Sequence, residues 1–209
     1  MTRSNLRHAY WIGGGSGSGK SQVAQHLAAE FGLQVYETDE AMADHIRRMR
    51  SEEAPALAAF LAMDMDERWV EGSPEAMLDT FHWFRGEGFG LIVEDLLSLP
   101  TGPPIIVEGF RLLPHLVQPL LVDPKRAVWL LPTPELRYAA FTSRGSLWAI
   151  AGRTSDPDKA LSNLLERDRL FTERLATETQ RLGLRAISVG LDTPENRVTD
   201  EVAAVLGLS

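Results

Sequence analysis

Short apolar runs alternate with longer stretches of helical periodicity along this chain. Residues 8–12 (HAYWI), 33–38 (LQVYET), 105–107 (IIV), 127–131 (AVWLL) and 186–189 (AISV) each read as a buried strand. After the first run, Val23, Leu27 and Phe31 recur every four residues, as one face of a helix requires, and Gly32 supplies its stop. Residues 40–50 place Met42, Ile46 and Met49 on one helical side, with Arg47, Arg48 and Arg50 beyond it. Residues 54–99 read as helical throughout, opened by Pro55 and Pro74 and punctuated by Gly86, Gly88 and Gly90. Thr133 and Pro134 form an N-cap and first-turn pair for a helix over 135–142. Residues 144–156 lack a clear period and read as a loop. Asp156 and Pro157 open a long helix to Leu182, which Gly183 ends, and Thr193 with Pro194 opens a last one through Val198, Val202, Val205 and Leu206.

Five strands separated by helical stretches predict an α/β fold, a five-stranded parallel sheet with helices on both faces. Ligands of such sheets bind beyond the carboxyl ends of the strands. The length of 209 residues suits one domain, with a core at 8–40, 104–136 and 184–209, a helical insertion at 41–100 and a lid at 143–157.

The turn after the first strand carries the chemistry. Gly14, Gly15, Ser16, Gly17, Ser18, Gly19, Lys20 and Ser21 fill every specified position of the phosphate-binding loop G-x-x-x-x-G-K-[ST], between a strand and an amphipathic helix. Wrapping main chain around a polyphosphate needs inward-pointing N–H groups at dihedrals a Cβ obstructs, so glycines recur. The helix adds its positive end. Lys20 is then expected to reach the β- and γ-phosphates, and Ser21 to ligate Mg²⁺.

Charge and composition narrow the partners. A formal charge of −8 argues against nucleic acid and acidic membrane surfaces. With no cysteine, thiolate chemistry and zinc-thiolate sites drop out. The histidines lack ligand spacing, so no metal beyond Mg²⁺ is expected. No apolar run approaches a membrane span or a signal core, and a soluble, cytoplasmic protein is expected.

With these motifs in order, the chain resembles the P-loop kinases of small molecules, the group that includes nucleoside monophosphate kinases, shikimate kinase, gluconate kinase and uridine kinase. VYETD through Asp39 looks like the strand whose terminal aspartate contacts the acceptor. IIVEG through Glu108 and Gly109 is similar to the third strand of uridine-kinase-like members. VWLLPTPELR resembles the fourth strand and the helix leading to a mobile lid, and VGLDTPENRV the loop whose backbone contacts adenine. The resemblance implies ATP and Mg²⁺ as cofactors and transfer of the γ-phosphoryl to a hydroxyl or phosphate of a small acceptor chosen by the helical insertion.

Site roles follow from that chemistry. Asp39 is expected to orient, or take a proton from, the acceptor, and Glu108 to serve the metal through water or help the acceptor. Arg144 and Arg153 fall where the resembling enzymes keep lid arginines that stabilise charge on the transferred phosphoryl. Asp168 lies in the apolar stripe of the long helix, where a carboxylate should be paired, and is expected to anchor Arg167 as a phosphate contact. Trp69, His82, Trp83 and Phe84 read as core rather than as an acceptor pocket. A second reading stays open, a P-loop NTPase or regulatory nucleotide-binding protein without an acceptor. The chain lacks a hydrophobic run ending in aspartate of the Walker B type, which that reading would want.

Overall fold

A computed structural model of the chain describes residues 6–100, 102–144 and 146–208, with main chain alone at 144 and 146–148. Its centre is a five-stranded sheet in which every pairing is parallel. The strands are β1 (Ala9–Gly14), β2 (Gln34–Glu37), β3 (Ile105–Glu108), β4 (Ala127–Pro132) and β5 (Arg185–Val189), in spatial order β2-β3-β1-β4-β5. β1 lies between β3 and β4, with Ile12 opposite Glu108 on one side and Gly14 opposite Leu130 on the other. The chain order changes sides at β1, so its carboxyl end is a switch point where a crevice opens.

Alternation along the strands builds two cores. Ile12, Ile106, Val128 and Leu130 pack against α1 (Lys20–Phe31) and α10 (Glu195–Leu206) through Val23, Leu27, Val198 and Val202. Trp11, Val107, Ala127 and Trp129 face the other way, onto α5 (Phe89–Ser98), α6 (Pro114–Val117) and α9 (Pro157–Leu182) through Ile92, Leu96, Val117 and Phe171. Period-2 strands sandwiched by helices on both faces account for the apolar runs read from the sequence. A third cluster joins Trp69, Val70 and Met77 to Ala151, Ala160 and Leu164, tying the helical insertion to α9.

The insertion between β2 and β3 is helical but broken. It consists of α2 (Met42–Arg48), α3 (Pro55–Ala62), a wide π-turn at Glu67–Glu71, α4 (Pro74–Thr80), a tight 3₁₀ turn at His82–Arg85, and α5. Ser73 caps α4 by accepting from the Ala76 N–H, and Asp156 caps α9 by accepting from Lys159 N–H. Residues 144–156 differ from the expected loop. After α7 (Pro134–Arg144) they hold a short helix, α8 (Ser146–Ala151), whose Ala151 is fully buried against α9. Tertiary burial of a small residue made this helix, and a single turn and a half carries too little periodicity to be seen.

Candidate functional site

The crevice forms where β1 turns into α1. Gly14, Gly17 and Gly19 all have positive φ, and a Cβ on Gly14 would overlap the main chain of Leu130 on the neighbouring strand. Main chain therefore curls closely around a concavity that any side chain would fill. Lys20 is buried and donates to the Gly15 carbonyl at 2.9 Å. Ser18 is buried too, and its hydroxyl has no hydrogen-bond partner among the described residues. An orphan hydroxyl in an anion cup fits a phosphate oxygen.

Two cavities flank this loop. The larger, about 390 Å³, is lined by Gly17, Ser18, Leu136, Ala140, Gly190 and Thr193 among others, between α7 and the turn after β5. Its apolar floor and main-chain rim suit a purine ring beside the phosphate cup. The smaller, about 140 Å³, holds Lys20, Ser21, Asp39, Phe110 and Phe141 together with the loop. Phosphate cup and carboxylate thus share one space.

Glu108 ends β3, beside β1, and accepts a hydrogen bond from Ser21 Oγ at 2.9 Å. A P-loop serine hydroxyl and a carboxylate from the adjacent strand are a hard-oxygen pair suited to Mg²⁺ held with phosphates and water. Among the described residues no group of three or more His, Cys, Asp or Glu side chains forms a protein-only metal cage. Burial raises the Glu108 pKa, and the Lys20 charge and the Ser21 hydrogen bond pull it back only in part. Asp39 opens to solvent across its outer surface, yet it sits in the mouth of the crevice. Desolvation there raises its pKa, against the opposing pull of Lys20 and Thr38.

The two carboxylates are fixed to each other through main chain. Glu37 lies opposite Glu108 in the sheet, and Thr38 N–H donates to the Glu108 carbonyl at 2.9 Å. Gly109 has φ +146, and a Cβ there would overlap Thr38 Oγ1. The turn carrying Asp39 therefore rests directly on the strand end carrying Glu108.

Sequence reasoning missed Arg111, which supports this turn. Its guanidinium donates to the Thr38 carbonyl at 3.1 Å and to Gly88 carbonyl at 3.3 Å, and lies 3.9 Å over the Trp83 ring. A third contact goes to His45 Nδ1 at 2.9 Å. Arginine only donates, so Nδ1 accepts, and neutral His45 carries its proton on Nε2, 2.8 Å from Asp95. Burial, followed by the Arg111 charge, outweighs Asp95 and keeps the His45 pKa low. Asp95 also receives Tyr36 and Arg48; burial alone would raise it, but these hydrogen bonds hold it at about 2. Desolvation brings Arg111 down to about 10, leaving it charged at neutral pH. Nothing short-range in the sequence marks this network, whose members come from β2, α2, α5 and the segment after β3.

The arginines named from the sequence are dispersed. Arg167 pairs with Asp168 at 2.6 Å, both buried, and its guanidinium packs on Trp69, Phe81 and Phe84 at 4.9–5.2 Å from the ring centres. It faces the aromatic cluster of the insertion. Arg153 is exposed in the turn after α8, and the side chain of Arg144, in the last turn of α7, lies outside the described residues. Arg137, not singled out from the sequence, is buried beside the loop; its Cγ lies 3.9 Å from where a Gly17 Cβ would sit, and it donates to Thr172 Oγ1 and the Pro132 carbonyl. Among the described residues no helix is long and apolar enough to cross a membrane.

No protein-family model and no curated protein sequence matches the chain. Similar solved structures include a gluconokinase from Sinorhizobium meliloti 1021, 17% identical over 97% of this chain and 92% of that one, with a TM-score of 0.47. An uncharacterized protein from Eubacterium ventriosum ATCC 27560 is 15% identical over 96% of this chain and 98% of its own, with a TM-score of 0.48.

Proposed function

We propose that this protein is an ATP-dependent phosphotransferase acting on a small molecule. The observation that carries the reading is that the phosphate loop, Lys20, Ser21 and Asp39 line one crevice, with Glu108 hydrogen-bonded into it. Bound at the loop, ATP·Mg²⁺ supplies the transferable γ-phosphoryl and a divalent charge that offsets its oxygens. The loop main chain and Lys20 hold the phosphates, and Ser21 with Glu108 would hold the metal. Asp39 orients the acceptor hydroxyl and takes its proton as that oxygen attacks. Its raised pKa strengthens it as a base, because proton affinity rises with pKa. α7, whose Phe141 lines the crevice, would with the segment after it form a lid whose closure excludes water.

A second reading gains from one observation. Glu108 meets Ser21 as the terminal carboxylate of a Walker B strand does, which suits an NTPase as well as a kinase. Acceptor dependence separates the two. The test is ADP release by the purified chain with Mg·ATP, alone and with a metabolite panel. A kinase shows release above the basal rate with at least one metabolite, and Lys20→Ala lowers that rate by on the order of 10²–10³. Basal hydrolysis that no metabolite changes would favour the NTPase, and near-wild-type turnover in Lys20→Ala would remove Lys20 from the mechanism.

A further inference from the structure

A buried cation stands behind the phosphate loop, lining neither of the cavities that flank it. A Cβ on Gly15 would meet Thr172 Oγ1 at 2.6 Å and Pro132 Cδ at 2.9 Å, and one on Gly17 would meet Ala140 Cβ at 3.2 Å and Arg137 Cα at 3.6 Å. The loop main chain therefore rests directly on α7 and α9. Arg137, early in α7, joins these supports: its Nη2 donates to Thr172 Oγ1 and, at 3.4 Å, to the Pro132 carbonyl, from the two residues that touch Gly15. Arg137 is only 2% exposed. Gly15 is thus bracketed by two cations. Lys20, which lines the smaller cavity, donates to its carbonyl at 2.9 Å, and the Arg137 guanidinium lies behind it.

Buried charges are ordinarily paired. Arg137 makes no ion pair among the described residues, and its Nε, shut off from solvent, has no hydrogen-bond partner. The carboxylates whose charge reaches it are committed to other arginines. Asp168 binds Arg167 at 2.6 Å, Glu166 binds Arg169 at 2.7 Å, and Glu173 binds Arg169 as well. Arg169 adds positive potential of its own. Burial lowers the Arg137 pKa, and Asp168 opposes this only in part. Arginine nonetheless stays protonated at neutral pH. The charge is therefore held in place by hydrogen bonds to neutral groups, beside a loop shaped to receive anions.

We propose that Arg137 is a second cation of the phosphate loop, whose counter-charge is the polyphosphate of a bound nucleotide. The inference rests on the nucleotide-binding part of the phosphotransferase reading and deepens it. Arg137 does not touch the phosphates; it acts through the main chain of Gly15 and Gly17, where burial leaves its field little screened by salt. Affinity then rises with the number of phosphate charges in the cup. A triphosphate is held more tightly than the diphosphate left after transfer, which favours release of the product.

The test is calorimetric titration of the full chain with adenosine, Mg·ADP and a non-hydrolysable Mg·ATP analogue. Three variants separate charge from packing. Arg137→Gln keeps an amide donor and loses the charge, Arg137→Met loses both, and Arg137→Lys keeps the charge on a single ammonium. Arg137→Gln and Arg137→Met should bind the ATP analogue about tenfold more weakly than wild type, the order of effect a nearby buried charge exerts. The loss should be smaller for ADP and absent for adenosine, and Arg137→Lys should recover most of it. An equal loss for all three ligands would make Arg137 a structural brace and overturn the proposal. No loss, or a loss in Arg137→Lys matching that in Arg137→Gln, would overturn it too. If neither uncharged variant folds, the guanidinium serves the fold and the proposal falls. Failure of the ATP analogue to bind the wild-type chain would overturn instead the nucleotide reading on which it stands.

Discussion

The two sides of the crevice are made in different ways. The phosphate-loop side, where the proposed nucleotide would sit, is made of main chain: Gly14, Gly17 and Gly19 bend the loop, and α1 begins at its end. The other side, where the proposed acceptor would sit, is made of side chains: Arg111 binds the Thr38 and Gly88 carbonyls and His45, His45 meets Asp95, and the Arg111 guanidinium lies over the Trp83 ring. A binding surface formed by backbone needs particular residues at fixed spacing, whereas one formed by side-chain networks needs only partners that meet in space.

Three perturbations should break that contrast or sharpen it. The largest effect belongs to Asp39→Asn, which keeps the shape of the turn and removes the base. Acceptor-dependent kcat should fall by about 10²–10⁴ with the nucleotide Kd unchanged; an equal loss of nucleotide affinity would move Asp39 to the metal side. Next comes Arg111→Lys. A single ammonium has one atom where the guanidinium spreads its donors over Thr38, Gly88 and His45, so the variant should lose about 1–3 kcal/mol in urea denaturation. Its kcat should fall while its nucleotide Kd holds, because the damage stays on the acceptor side.

The smallest effect is on stability and lies on the nucleotide side. Burial raises the Glu108 pKa, so the folded state binds that proton more tightly than the unfolded chain does. Ionised Glu108 then costs stability above its raised pKa, and the cost fades as pH falls through that value. Glu108→Gln keeps an acceptor for Ser21 and removes the charge. Its melting temperature at pH 8 should exceed wild type by roughly 2–4 °C, the shift that about 1 kcal/mol gives a domain of this size, and the gap should shrink as the buffer is acidified. Mg·nucleotide should stabilise the variant less than wild type, since a metal ligand is gone. A variant melting below wild type at pH 8 would mean that Lys20 and Ser21 offset the burial.

This division also explains what the sequence disclosed. The sheet was legible because its central strands β1, β3 and β4 are buried on both faces and read as apolar runs, while the edge strand β5 buries only Ile187 and Val189, and the phosphate loop was legible because its glycines serve local geometry. Asp39 and Glu108 could be placed at strand ends by the same logic. Arg111 stands three residues after Glu108, but its importance lies in His45, 66 positions away, and in the Thr38 carbonyl, 73 away. No periodicity encodes such partnerships. Arg167 illustrates the converse. Its neighbour Asp168 marked it as a paired buried arginine, but the direction of its guanidinium depended on the folding of residues 67–84, a segment whose π- and 3₁₀ turns the pattern of apolar positions did not announce.

The missing side chain at Gly109 has a practical corollary. Because Thr38 rests on bare main chain there, the separation between the two carboxylates is inherited from the sheet and is insulated from whatever surrounds them. Phe110 and Phe141, which line the same cavity, could accordingly be exchanged while that separation stays in register. At Gly109 itself even alanine would pry Asp39 away from Glu108, marking the point at which redesign of this crevice would have to stop.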